Sequence, residues 1–400
     1  MINFAVQQKI LLALVKKTIV MLVSGMKHHQ TDKIALTAPS PGTTRTLTVH
    51  RFGKPGMAPK AYIQSSLHSD EWPGILVIDH LMRLLDKAKI IGEIIIVPFA
   101  NPTGLGQRVN GLISARHHLD GGGNFNRNWP DLTDTVWRRI KNKLTDDGND
   151  NSVLIRDALR HAVSSLPRQT ELENLRATLL NLSIDSDIVL DLHCDRIATL
   201  HVYANKAQVD DAEILTRELG SPVLLLENSP GGGPFDEAHH APWINIAKRA
   251  KPETPIPDGC FSTTVELRGE QDINDDLAIR DAHAIYHFLM RKAVIDGDPG
   301  PLPPASCNAT PLDGVDTPKA PKSGLLIWQK NIGDRVQQGD VICELLDMDD
   351  ADRKRTPITA QTSGMMFARR AQSFVHPGDL IAKIAGCHAL PYRTGNLLTL

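Results

Sequence analysis

Nearly continuous apolar runs alternate with amphipathic stretches and polar, glycine-rich connectors along most of the chain, and this rhythm predicts an α/β unit. TTRTLTVHRF (43–52) alternates polar and apolar positions like an edge strand, and Gly53, Pro55 and Gly56 then make a turn. Tyr62, Ile63 and Leu67 mark a short buried strand, after which Pro73 suits the first turn of a helix over WPGILVIDHLMRLLDKA. IIGEIIIVPF (90–99) is β-branched almost throughout, as a strand covered on both faces of a parallel sheet must be. Further strands are predicted at SDIVLDLHCD, LHVYA (200–204), PVLLLE (222–227) and CFSTTVELRGE (260–270), with helices at 207–219, closed by Gly220, and at 275–293. The expected fold is therefore a mixed, mostly parallel sheet flanked by helices. Residues 131–185 are polar and helix-favouring, broken near Asp147–Asn151, and predict a helical insertion of two pieces outside the sheet. Residues 228–243, rich in Gly and Pro, predict a surface segment able to serve as a lid.

Residues 26–296 form the expected catalytic unit, and the shift to Pro, Gly, Asp and Thr over 297–321 marks a linker or covering arm. Beyond it, PKSGLLIWQKNIGDRVQQGDVICELL is echoed by AQTSGMMFARRAQSFVHPGDLIAKIA. Each half opens on Ser-Gly and carries Gly-Asp before its last strand, which predicts a small β barrel-sandwich over 322–387, followed by a tail (388–400). Such a barrel resembles the biotinyl/lipoyl attachment fold, and Lys354 falls near the carrier-lysine position. Its surroundings, DMDDADRKRTP, lack the carrier context, so a structural appendage is expected. The first 25 residues read as an extension: Lys16 and Lys17 split their apolar run and no cleavage pattern follows, which fits an appended amphipathic helix or a true start at Met26.

Composition narrows the partners. With 400 residues, 41% hydrophobic content and a net charge of −2, the chain can bury a large core and offers no basic footprint for nucleic acid or an anionic membrane. A small-molecule partner is expected. Five scattered cysteines without C-x-x-C spacing suggest neither disulfide frame nor cysteine zinc site, and fit a reducing cytoplasm.

The candidate chemistry lies where strands end. His68 and Glu71 fall at a strand-to-helix junction, where an imidazole and a carboxylate two residues apart can aim at one ion. His193 ends a later strand and completes a set of three protein ligands that leaves a coordination position open, the catalytic pattern. A metal held this way polarises a carbonyl and lowers the pKa of water toward about 7. Glu266, in a Thr-Val-Glu-Leu strand where an idle carboxylate would be costly, can take the proton. The glycine-rich loop of residues 101–130 adds Arg108, Arg116, Asn126 and Arg127.

With these residues and their motifs the chain resembles the succinylglutamate desuccinylase/aspartoacylase family, a branch of the zinc carboxypeptidase superfamily, over roughly Thr43 to Gly386. The resemblance implies a zinc carboxypeptidase-like α/β fold with the small C-terminal β domain, and one Zn2+ per chain on His68, Glu71 and His193. It implies Glu266 as the catalytic carboxylate, Asn126 and Arg127 as the grip on a substrate carboxylate, and Arg116, with Arg108 as alternative, polarising the scissile carbonyl. The Arg116 to Asn126 spacing departs from that of the aspartoacylases. The implied activity is deacylation of an N-acyl amino acid, in a monomer or homo-oligomer. A carboxypeptidase-like exopeptidase, and a non-catalytic binding or carrier module built on the β domain, are the competing readings.

Overall fold

The computed structural model describes residues 29–229, 231–349, 351–352 and 354–398. Nine of its strands form one sheet: β1 (His29–Leu36), β2 (Arg45–Gly53), β3 (Lys60–Ser65), β4 (Glu93–Val97), β5 (Ile188–Asp195), β6 (His201–Asn205), β7 (Leu224–Glu227), β8 (Phe261–Gly269) and β9 (Ala309–Pro311), in the order β1-β2-β4-β3-β5-β8-β6-β7-β9. The central run β4-β3-β5-β8 is parallel, while β2 and β6 pair antiparallel with β4 and β8. Such a centre needs apolar residues on both sides of each strand, and the sequence supplies them. Ile94 and Ile96 enter one core with Ile63, Leu190 and Val265, whereas Ile95 and Val97 enter the opposite one with Tyr62 and Val189.

The first core is closed by α1 (Pro73–Leu85), α5 (Val209–Leu219) and α7 (Asp275–Arg291). The second lies under α2 (Thr133–Ile140), α3 (Gly148–Ser164), α4 (Glu171–Ser183) and α6 (Glu237–Arg249). Close packing fixes α1: a Cβ on Gly74 would stand 2.8 Å from Ser65 Cβ and 3.1 Å from Leu192 Cβ, so only glycine lets the helix start sit on β3 and β5.

Four local expectations need correction. The 43–52 strand is not at the edge, because β1 covers it in register from His29↔Phe52 to Leu36↔Arg45; alternation with one wet side reads alike in either place. Residues 131–185 hold three helices rather than two, the last opened by a capping box on Thr170 and Glu173. The helix expected from 207 begins as a 3-10 turn, Lys206–Gln208, before α5 and ends at Gly220 in the left-handed region, φ 61°. Most important, 228–243 is no surface lid: Phe235, His239, His240 and Trp243 are all buried, and α6 runs through Pro242. Tertiary burial of this apolar and aromatic face overrides the Gly and Pro signal. The first 25 residues lie outside the described residues. Among those described, no helix is long and apolar enough to cross a membrane.

Past α7 the chain returns to the sheet. The segment expected as a linker or arm supplies β9, which pairs parallel with β7, and then β10 (Val315–Asp316). The repeat folds as expected from its two halves: β11 (Gly324–Trp328), β12 (Arg335–Val336) and β13 (Val341–Leu346) correspond to β15 (Gly364–Arg369), β16 (Phe374–Val375) and β17 (Ala382–Gly386), with β14 (Thr356–Thr359) between them. The two Gly-Asp turns place Gly339 and Gly378 at φ 91° and 85°, which explains why both halves keep glycine there. Two small sheets enclose a core of Leu326, Ile342, Leu345, Met366 and Ile384. One of them borrows Ile197–Ala198 from the α/β unit, which pairs with Arg369 and Ala368. Lys354 stands exposed between β13 and β14, 3.1 Å from Asp352.

Candidate metal centre and substrate cavity

After β3 the chain passes through Ser66 at φ 59° and turns so that His68 and Glu71 face β5. Ser69 Oγ donates to Asn101 O (2.6 Å) and Asn101 Nδ2 to Leu67 O (2.9 Å), which pins this turn from beneath. His193 arrives from β5, where Asp191 and His193, two residues apart, share a side of the strand. On the adjacent β8, Glu266 is the register partner of His193.

His68, Glu71 and His193 are buried, and one ligand atom from each lies within 4.8 Å of the others; among the described residues they are the one cluster with metal-ligand spacing. Each imidazole is oriented from behind. His68 Nε2 donates to Asn124 Oδ1 (2.8 Å) and His193 Nε2 to Asp191 Oδ2 (2.8 Å). Both rings therefore turn Nδ1 to Glu71, at 3.0 Å from Oε1 and 2.7 Å from Oε2. Asp191 is itself held by Gln64 Nε2 (3.0 Å), whose Oε1 accepts from Tyr62 OH (2.8 Å). Behind the ligands thus runs a fully buried chain, Tyr62, Gln64, Asp191, His193. Hydrogen-bonded outer partners of this kind fix the tautomer and raise the basicity of a ligating histidine.

The electrostatics suit a cation. Burial pushes His193 down, but Asp191 and Glu71 more than offset it and hold the imidazole well above its ordinary value. Burial alone would raise Glu71, yet the two imidazoles bring it well below the carboxylate range. Two imidazole nitrogens and a carboxylate around a shared point are a donor set suited to zinc.

The cavity beside this triad is lined by Asn126, Arg127, Thr264, Glu266 and Asp236 among others. Glu266 Oε2 is buried with no hydrogen-bond partner among the described residues. Burial, then Glu71, raises its carboxyl to about 7 against the pull of His193 and Lys383. Arg116 Nη1 donates to Glu71 Oε1 (3.1 Å), so its guanidinium stands at the triad, while Arg108 is exposed and donates to Gly111 O (3.0 Å) in a separate ribbon. The structure brings Arg116 to the cavity and leaves Arg108 outside it. Asn126 Oδ1 accepts from Phe235 N (2.7 Å), which leaves its amide nitrogen as the donor facing His193 (3.3 Å). Arg127 Nη1 donates to Asn126 O (2.7 Å), and Arg176 of α4 donates to Arg127 O (2.6 Å).

Several residues here were not singled out as contributors. Asp191 could have been, because D-x-H on a strand puts both side chains on one side; Asn124 and Arg176 carry no local signal. Nor does Lys383. It reaches the cavity from β17 and pairs with Asp195 at 2.5 Å, so the C-terminal β unit forms part of the cavity wall, together with Leu380, Arg393, Leu397 and Leu398.

Residues 57–247 match the succinylglutamate desuccinylase/aspartoacylase catalytic domain. An N-alpha-acetyl-L-2,4-diaminobutyric acid deacetylase of Halomonas elongata is 26% identical over 347 residues, 83% of either chain. A solved succinylglutamate desuccinylase/aspartoacylase family protein of Shewanella amazonensis is 27% identical with a TM-score of 0.80, covering 89% of this chain and 98% of its own. A solved protein of Shewanella frigidimarina, 24% identical with a TM-score of 0.80 over 90% of this chain and 98% of its own, shares the fold. The matched span contains His68, Glu71, Asn126, Arg127 and His193, the likeness in fold continues through the C-terminal β unit, and residues 57–247 are similar to the catalytic domain of the succinylglutamate desuccinylase/aspartoacylase family.

Proposed function

We propose that the protein is a zinc-dependent deacylase that hydrolyses the amide bond of a small N-acyl amino acid. One observation carries the reading: Glu266, one of whose carboxylate oxygens is shielded and has no hydrogen-bond partner among the described residues, registers beside His193 in the cavity that also holds Arg127. The relative from Halomonas, named for removing acetyl from N-alpha-acetyl-diaminobutyrate, supports the same bond class.

His68, Glu71 and His193 would hold one zinc ion, which when bound supplies Lewis acidity toward the acyl oxygen and a water of lowered pKa. Glu266, raised to about 7, is matched to taking a proton from water and returning it to the leaving nitrogen at neutral pH. Arg116 stands where positive charge can meet the developing oxyanion. Arg127 and the Asn126 amide give a carboxylate two kinds of donor, a planar guanidinium and a neutral N–H. Leu312, Val315, Leu380 and Leu397 also line the cavity, which favours compact substrates over the extended chain an exopeptidase would admit. The intact ligand set likewise weighs against a purely structural or carrier role.

Glu266→Gln tests the reading. Against a panel of N-acyl amino acids, the wild type should release free acid, while the variant should hold about one zinc by elemental analysis and lose activity by ~10²–10⁴. A variant that turns over at the wild-type rate would remove Glu266 from the mechanism.

A further inference from the structure

A second cavity adjoins the one that holds the triad. Its lining combines the apolar Leu226, Ala309 and Pro311 with the polar Lys206, Asn228 and Asp313. The second cavity measures about 370 Å³ against about 90 Å³ for the substrate cavity, so a ligand that reached both would have several times the room. Three side chains, Glu227, Leu312 and Leu397, line both cavities and therefore stand between them.

The three are held very differently. Glu227 ends β7, where it pairs in register with Asn205 of β6. Leu312 opens the 3-10 turn Leu312–Gly314 and is 4% exposed. Leu397 lies in a stretch without regular structure. Leu390 N donates to Asp313 O (2.9 Å) and Tyr392 OH to Asp316 Oδ1 (2.6 Å), which ties the chain down just before that stretch. From Thr394 to Leu398, however, the one hydrogen bond among the described residues is that of Arg393 Nη2 to Leu397 O (3.0 Å). Apolar contact does the rest: Leu397 and Leu398, both partly buried, lie against a cluster that includes Val223, Leu225, Leu312 and Phe367. A stretch with so few hydrogen bonds is the part of the wall that opens at least cost to the fold.

Two glycines relate Leu397 to the carboxylate grip. Asn396 lies so close to Gly231 that a Cβ there would stand 2.2 Å from Asn396 Oδ1, and a Cβ on the next residue, Gly232, would stand 2.9 Å from Arg127 Cδ. In the deacylase reading, on which this inference rests, Arg127 takes the α-carboxylate, so Leu397 borders the amino-acid end of the cavity. We propose that Leu397 sets the longest amino-acid side chain the enzyme accepts, by closing the substrate cavity against the second one, whose Leu226, Ala309 and Pro311 suit an unbranched apolar chain.

The test is a ladder of N-acetyl amino acids with unbranched neutral side chains, from alanine through norvaline and norleucine to 2-aminodecanoate, compared by kcat/KM. The wild type should fall off within the ladder. Leu397→Ala should raise the ratio of the 2-aminodecanoate to the norvaline derivative by at least about tenfold, the effect of one or more methylenes newly admitted to an apolar pocket. Leu397→Phe, which thickens the wall, should move the fall-off to shorter side chains. Lys206, exposed and lining the second cavity alone, provides the control. Lys206→Trp should leave the wild-type ladder as it is and cancel the gain in the Leu397→Ala background. A ratio that neither Leu397 variant moves, a double variant that keeps the whole gain, or a wild-type ladder already shifted by Lys206→Trp would overturn the partition. If the zinc-loaded wild type hydrolyses no member, the deacylase reading fails instead. Calorimetry of free 2-aminodecanoate and norvaline then decides the partition by itself: the longer acid should bind tighter to Leu397→Ala than to the wild type, and equal binding refutes it.

Discussion

Replacing Lys383 by Met should weaken the protein and shift its pH dependence together, because one ion pair joins the β unit to the wall of the active cavity. Lys383 Nζ lies 2.5 Å from Asp195 Oδ2, with the two side chains 23% and 24% exposed. Burial would raise Asp195, but Lys383 more than reverses this and brings it from an ordinary 3.8 to about 2. At about 1.4 kcal/mol per unit, that net shift corresponds to roughly 2 kcal/mol of stability. Removing the lysine also strands the carboxylate, which costs about 3–5 kcal/mol when fully buried and less at this exposure. A loss of roughly 2–4 kcal/mol, divided by an unfolding entropy of about 2.1 cal/mol/K per residue over a chain of 400, is a fall in Tm of ~3–5 °C.

The sign of the pH dependence follows from the same shifts. A depressed Asp195 contributes fully above about 3.8 and loses its contribution as pH falls through about 2. For Lys383, burial lowers the ammonium but Asp195 raises it above its ordinary 10.5, so its contribution is complete below that value. Wild type and Lys383→Met should therefore differ most between pH 4 and 10 and converge in acid. Lys383 also helps to hold Glu266 down, so its loss should move the acid limb of kcat/KM upward. Calorimetric melts of wild type, Lys383→Met, Asp195→Asn and the double variant, with pH–rate profiles, provide the check. The argument fails if Lys383→Met melts with the wild type at pH 7 and its acid limb does not move.

Three other outcomes are expected. Asp191→Asn should weaken zinc binding by ~10–100-fold, measured by competition with a chelator, because His193 loses the acceptor that fixes its tautomer; unchanged affinity would detach Asp191 from the centre. Arg127→Ala, or the methyl ester of the best substrate, should lower kcat/KM by about 30-fold or more, with Arg127→Lys recovering only part, and a variant still sensitive to esterification would refute the carboxylate grip. Burial holds His239 at about 4 and His240 at about 3, below an ordinary 6.5, so both resist charging in the fold. Stability should be full above about pH 6.5 and fall as pH drops toward 4, by several kcal/mol, and chemical denaturation showing no loss over that interval would contradict their burial.

What the sequence disclosed and what it hid follow one physical division. His68, Glu71, His193 and Glu266 were legible because each interrupts or ends an apolar run, and a polar group at that place in a parallel sheet needs a reason. The residues that orient or complete the site were less so, since their roles depend on which distant segment they meet. Asn124 reaches His68 from 56 positions away along the chain, and Lys383 reaches Asp195 from 188. The 228–243 misreading has the same origin. Gly231, Gly232 and Gly233 do take positive φ, as their composition suggests, but they do so to let 232–236 lie against Arg127 and Trp129, where a Cβ on Gly232 would stand 2.9 Å from Arg127 Cδ. Flexibility was the wrong inference from those glycines: they permit a close approach, and that approach zips 232–236 along the loop that carries Asn126 and Arg127.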